Sequence, residues 1–352
     1  MTTLAQNKQK RQIVHSLYLC KALMAFLVVL RHTTLWCKEE IIPIISIATP
    51  TFFCITGYFL FSASQERELS KATRWAKKGL ILCISMNLIY LLHHICDRAY
   101  YNESYQALMI WNGVPFGDTA VGNFILNTFT GISYSYHLWY LSAFWIAMLI
   151  FYVLRRYLPV LLYITPLFYA WGHVCNMWGK NLLPEVDNDV LFALKCNGLA
   201  VALPFICTGY LIAKHEKLLL RIRWIPLWAA LGAAFVFYRV DLVKACQLKL
   251  YGWDTPITVY TMVCLTLLLC LRYKNARVPL LNGIGQHHSA NIYYTHILLY
   301  THLVRTEYHN EDIAAIVVYL ASIPLSYAII LAVAGWKLAK DSVRKLPMFA
   351  CK

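Results

Sequence analysis

Charge is scarce in this chain of 352 residues. Asp, Glu, Lys and Arg make up 14% of it, against about 25% in a typical soluble domain. No long polar stretch interrupts the apolar runs, so little chain remains for a separate soluble domain. The net charge of +15 therefore has no free-standing basic domain to occupy, which argues against a nucleic-acid partner. H-E-x-x-H, P-loop, G-x-G-x-x-G and nucleophile-elbow motifs are all missing, so any chemistry is built from dispersed residues. There is no C-x-x-C pair either, and the sequence implies no metal. Its 12 Cys are scattered, mostly within apolar runs, and read as small core residues. Cys37, Cys175 and Cys246 fall between runs, where a disulfide is open. No cleavable leader is expected, because the first apolar run is too long and lacks a small-residue cleavage site.

What is abundant is apolar surface: 59% hydrophobic residues with a mean hydropathy of +0.52. Runs able to span a bilayer, or nearly so, fall at 14–36, 41–63, 79–96, 137–154, 158–172, 196–213, 224–240, 256–272, 288–304 and 313–336. The run at 158–172 is the weakest, being interrupted by Pro166, and a partial or re-entrant segment is expected around Val121 to Ile132. These runs predict an all-α polytopic membrane protein of about ten helices, with residues 1–352 forming one membrane-embedded domain.

Charge placement gives an orientation. With the N-terminus inside, inner segments hold 22 Lys and Arg and outer segments hold 8. Positive loops resist translocation, so this split predicts both termini on the cytoplasmic side of the cell membrane.

The first run carries Lys21, Arg31 and His32, ionisable residues at a depth where each costs about 2.5 to 3.5 kcal/mol on insertion scales. Lys21 and His32 are 11 residues apart, which at 100° per residue returns to within about 20° of one face, about 16 Å along the axis. One interior stripe can hold both. Arg31 points about 80° away from Lys21 and can reach the outer interface. A histidine on such a stripe suits proton transfer near neutral pH, whereas Lys21 has either a functional role or a snorkelling one.

The stretch KALMAFLVVLRH, Lys21 to His32, resembles the first helix of the acyltransferase-3 family of integral membrane acyltransferases, in which a basic residue precedes an essential His by 11 positions. The order of further runs fits the same resemblance: TPTFFCITGYFLF (Thr49 to Phe61), the basic KATRWAKK (Lys71 to Lys78), HLWYL (His137 to Leu141), PFICTGYLI (Pro204 to Ile212) and SANIYYTHILL (Ser289 to Leu299). Two departures stand out. Lys21 replaces the commoner Arg, which keeps a cation but loses the bidentate fork, and Thr56 replaces a Ser. No fused extracytoplasmic domain is expected, so acceptor choice would fall to the membrane domain and its outer loops.

The resemblance implies acyl transfer across the lipid bilayer, from cytoplasmic acyl-CoA, most often acetyl-CoA, to a hydroxyl acceptor: a surface or cell-envelope carbohydrate, or a small polar molecule such as serine, as in some relatives with a Lys at the Lys21 site. In that scheme His32 is the general base, while Lys21 holds the CoA end of the path or stabilises developing negative charge. Arg74 and Lys78, in the inner loop, are candidates for CoA phosphates, although positive-inside charge explains them equally. His137, Trp139 and His296 are candidate acceptor contacts, with an interfacial His, a packing aromatic and a core hydrogen bond as the plainer roles. Gly57 and Tyr58 read as close helix packing and a polar handle. Two rivals remain: a non-enzymatic sensor, and a transporter or flippase of a polar or lipid-linked substrate. The transporter predicts internal symmetry, and the similar runs FFCITGYFLF and PFICTGYLIA leave it open.

Overall fold

The computed structural model describes residues 13–33, 37–62, 64–101, 134–182, 194–248, 256–303 and 311–345, with isolated positions between 122 and 129 and between 184 and 191. Most of the expected re-entrant segment at 121–132 lies outside the described residues. Among the described residues the protein is helical throughout. The main helices are α1 (His15–His32), α2 (Lys38–Ser46), α3 (Ala48–Leu60), α4 (Gln65–Tyr101), α5 (Trp139–Val153), α6 (Leu158–Leu182), α7 (Leu203–Lys214), α8 (Trp224–Gln247), α9 (Ile257–Arg272), α10 (Ser289–Leu303) and α11 (Glu311–Lys345), with short helical turns at Glu216–Leu219 and Pro279–Gly283. Short turns of 3-10 or π geometry lead into α5, α6, α7 and α10.

Helix stands in each of the ten apolar runs, and six segments are long and apolar enough to cross a membrane: Lys38–Leu60, Gln65–Asp97, Tyr136–Val153, Arg155–Cys175, Trp224–Gln247 and Ile313–Leu338. Gly198–Lys214 and Ile257–Arg272 are apolar but shorter. The protein is thus a multi-pass membrane protein. Three local readings change. The run at 41–63 is broken at Ile47, where α2 gives way to α3 two residues before Thr49-Pro50. Pro166 does not end a segment but sits inside the continuous α6. Finally, the basic stretch from Lys71 to Lys78 is helix rather than loop, because α4 starts at Gln65 and runs for 37 residues, about 55 Å and well beyond a hydrocarbon core of about 30 Å.

Position in the bundle follows from what each helix can bury. Within Lys38–Leu60, 78% of the apolar window is inside the protein, against 17% for Trp224–Gln247, whose Trp228, Val236, Phe237 and Val243 face outward. α1 is central: it touches α2, α3, α9, α10 and α11. The Tyr319 hydroxyl of α11 donates to the Ala22 carbonyl at 3.1 Å, and Asn282 Nδ2 donates to the His15 carbonyl at 2.6 Å. These bonds fix α1 against the late helices. The start of α7 is set locally, since Asn197 accepts from the backbone N–H groups of Leu199 and Ala200 at 2.8 Å and starts the π turn before it.

The two similar runs pack on each other. α3 and α7 make the most extensive helix contact among the described residues, and their glycines meet reciprocally: a Cβ on Gly57 would collide with the Ile206 carbonyl, and one on Gly209 with the Cys54 carbonyl. Only glycine permits that approach. The tyrosines reciprocate too. Tyr58 donates to Glu216, just beyond α7, at 2.8 Å, and Tyr210 donates to Glu68, in the first turn of α4 after α3, at 3.1 Å. The two helices therefore end on the same side, at the end of the bundle where α1 begins. Glu68 also accepts the Ser62 N–H at 2.7 Å, and Glu216 pairs with Lys274.

Candidate active site

Three histidines converge where α1 ends. His32 is the last residue of α1, His137 lies in the turn leading into α5, and His296 is in the middle of α10. Ring centroids are 5.1 Å apart for His32 and His296, 5.0 Å for His137 and His296, and 6.0 Å for His32 and His137. The rings of His137 and His296 are fixed by their own neighbours. The Ser135 hydroxyl is 2.8 Å from His137 Nδ1, and the Tyr293 hydroxyl donates to the His137 carbonyl at 2.6 Å. His296 Nδ1 is 2.8 Å from the Tyr293 carbonyl and 3.2 Å from that of Ile292. A carbonyl only accepts, so Nδ1 of His296 carries the proton and Nε2 presents a lone pair.

The Nε2 atoms of His137 and His296 are buried with no hydrogen-bond partner among the described residues. An unsatisfied buried polar group costs about 1 to 3 kcal/mol. Two in one cluster, beside a third imidazole, leave proton-accepting and proton-donating capacity aimed at a shared space. That arrangement can hold a hydroxyl group and take its proton.

A cavity of about 420 Å³ opens between α1, α3, α4, α5 and α10. Its walls are largely aromatic, with Tyr18, Phe52, Trp75, Tyr140, Tyr293 and Tyr294 among them, and Lys21 and Lys78 are its cations. Lys78 is exposed at the mouth. Lys21 is further in, and its ammonium has no hydrogen-bond or ion-pair partner among the described residues. Tyr293 belongs to both spaces: it lines the cavity, and its ring is 6.0 Å from that of His137 and 6.1 Å from that of His296. Beside it, Tyr140 stacks on Phe53 at 4.5 Å and lies 4.9 Å from Tyr293. An aromatic partition thus separates the lysines from the histidines.

The candidate residues divide accordingly. His32, His137 and His296 come together, and Lys21 and Lys78 share the cavity. Arg74 is exposed one turn before Lys78 and does not line it. Trp139 faces Phe53 at 6.1 Å and lines neither space. Tyr140, Tyr293 and Tyr294 were not anticipated; the only signal for them was their position inside the HLWYL and SANIYYTHILL runs. His93, Asp97 and His302 form a further cluster at the same end as the histidines.

The model of the acyltransferase-3 family, described as an acyltransferase domain, matches residues 14–335. The match covers α1 through most of α11, and so includes every residue of both spaces. No curated relative and no solved structure matches the chain.

Proposed function

The chain belongs to the acyltransferase-3 family and is a multi-pass membrane acyltransferase; from that premise we propose that it moves an acetyl group from cytoplasmic acetyl-CoA to a hydroxyl of a surface or cell-envelope carbohydrate. Both termini then face the cytoplasm, and the His32 end of the bundle faces outward. The observation that carries this reading is the meeting of His32, His137 and His296 across an aromatic partition from a cavity whose innermost cation, Lys21, is unpaired among the described residues.

The division of labour follows from distance. Lys21 is about 16 Å along the helix axis from His32, and helical side chains lean toward the N-terminus, so its ammonium extends away from the histidines. It therefore cannot stabilise an oxyanion formed beside His32. Its role is to hold the anionic donor, with Lys78 at the mouth, while the thin thioester arm passes Tyr140 and Tyr293. His32 takes the proton of the acceptor hydroxyl as its oxygen attacks the thioester carbonyl. The carbon–sulfur bond breaks, and CoA leaves as a thiolate that is then protonated. With the Ser135 hydroxyl donating to Nδ1 of His137, Nε2–H of that ring is the donor for the developing oxyanion. His296, whose ring is the nearer of the two to His32 and whose Nε2 lone pair has no partner among the described residues, is the group available to orient the base.

The TGY recurrence in α3 and α7 is also what a transporter would contain. One experiment separates the readings. Purified protein in detergent, given acetyl-CoA and a carbohydrate acceptor, releases free CoA thiol at a rate that His32→Ala abolishes. Substrate movement into vesicles with no CoA release in any condition would support transport instead.

A further inference from the structure

A second side-chain cluster sits at the His32 end, between α4 and α10, and the acyl-transfer reading makes no use of it. His93 Nε2 and His302 Nε2 approach to 2.9 Å, and their ring centroids are 4.9 Å apart. One turn beyond His93 on α4, the Asp97 carboxylate lies 3.4 Å from His93 Nδ1. Ligand atoms from all three residues fall within 4.8 Å of one another. We propose that His93 and His302 bind a divalent transition-metal ion of the zinc class through their Nε2 atoms, with Asp97 supporting His93 from behind.

The chemistry of the donors selects that class. The Asp97 carboxylate is on the Nδ1 side of His93 but at 3.4 Å makes no hydrogen bond, so Nδ1 is buried and unsatisfied; closing that gap would hold the proton on Nδ1 and turn the Nε2 lone pair outward, which is the usual support for a metal-bound imidazole. Imidazole nitrogens suit zinc, copper and nickel, whereas calcium and magnesium want oxygen shells. Two nitrogens each about 2.0 to 2.1 Å from one tetrahedral ion stand roughly 3.3 Å apart, so the observed pair needs to open by only a few tenths of an ångström. Exposure of His302 leaves room for water in the remaining positions. A neutral imidazole–imidazole hydrogen bond also fits 2.9 Å, but it contributes only about 1 kcal/mol.

The location gives the ion a purpose. Tyr90, one turn before His93, has its ring 6.4 Å from that of His93 and 5.0 Å from that of His137, and its hydroxyl donates to the Tyr294 carbonyl at 3.0 Å. The ion is therefore one aromatic ring away from the histidine cluster. It also ties α4 to α10, the walls that contribute Lys78 and Leu82 on one side and Ala290 and Tyr294 on the other to the cavity. The site rests on this geometry and not on the acceptor or donor assigned above.

The test is calorimetric titration of the chelator-stripped full-length protein in detergent with Zn²⁺, with the visible spectrum of Co²⁺ as a second probe. Wild type should bind one equivalent saturably, and His302→Gln and His93→Gln should each weaken binding by tenfold or more. Asp97→Asn should weaken it by roughly tenfold to a hundredfold, the range for supporting groups. His94→Gln should leave it unchanged, since His94 Nε2 is engaged with the Tyr134 carbonyl at 2.8 Å. Because His302 is exposed, His302→Gln should keep the metal-free melting temperature while losing the rise that Zn²⁺ produces in wild type. Absence of saturable binding by wild type, or equal binding by a folded His302→Gln, would overturn the proposal and leave a hydrogen-bonded histidine pair.

Discussion

His32 and His296 lie on α1 and α10, far apart in the chain, yet their rings meet at 5.1 Å. The contact joins a residue at a helix terminus to one in a helix interior. The tautomer of His296 is dictated by backbone, through the Tyr293 and Ile292 carbonyls. The fixed ring therefore sets the environment of the other, which is the arrangement wanted of a positioned base.

Replacing His32 with Ala should lower kcat by a factor of about 10² to 10⁴, the usual contribution of a general base. His296→Ala should lower it less and should also move the pH profile, because that residue acts through His32. Normal expression and membrane insertion in both variants serve as the control. Turnover of His32→Ala within twofold of wild type would remove His32 from the mechanism.

Lys21 and Lys78 should govern the donor alone. Loss of one charge-assisted contact, worth about 1.5 to 3 kcal/mol, should raise the Kd for acetyl-CoA roughly tenfold to a hundredfold in Lys21→Ala or Lys78→Glu, read by calorimetry. Arg74→Glu should have a smaller effect, since Arg74 is off the cavity wall. KM for the acceptor should stay put. Equal donor affinity in the two lysine variants and wild type would assign those charges to topology only, and the donor site would lie elsewhere on the basic face.

The reciprocal glycines predict a stability contrast. Gly57→Val or Gly209→Val drives a side chain into a backbone carbonyl, an overpacking that costs about 1 to 3 kcal/mol or more, and should lower Tm in detergent or prevent assembly. Gly232 lies inside α8 with nothing within 4 Å of a Cβ. Gly232→Ala should therefore raise Tm, by the helix-propensity difference of about 1 kcal/mol. A melting curve unmoved by Gly209→Val would contradict the α3–α7 packing.

The charge split of 22 to 8 sets the last expectation: reporter fusions at both termini should read as cytoplasmic, and cysteines introduced in the 173–195 segment should react from outside. A cytoplasmic signal from that segment would reverse the orientation and, with it, the side from which the donor enters.

The sequence by itself determined the solvent, the helical class and the first-helix stripe. Apolar runs interrupted by few charges have no other stable form in a bilayer, where every backbone group must be bonded within the helix. The 11-residue spacing of Lys21 and His32 is likewise a local property of α1. Family membership was legible in the ordered runs for the same reason, since each is a short contiguous segment. What only the tertiary structure decided is which helices meet. Leu, Ile and Val are as compatible with lipid as with one another, so periodicity marks an apolar face without naming its partner. That is why His137 and His296 could be selected but not placed against His32, and why the two TGY runs were seen to be similar without being seen to touch. The same limit applied to Arg74 and Lys78, which are one turn apart in sequence: both are exposed, and only Lys78 lines the cavity. His93, Asp97 and His302 come together only because α4 and α10 end side by side.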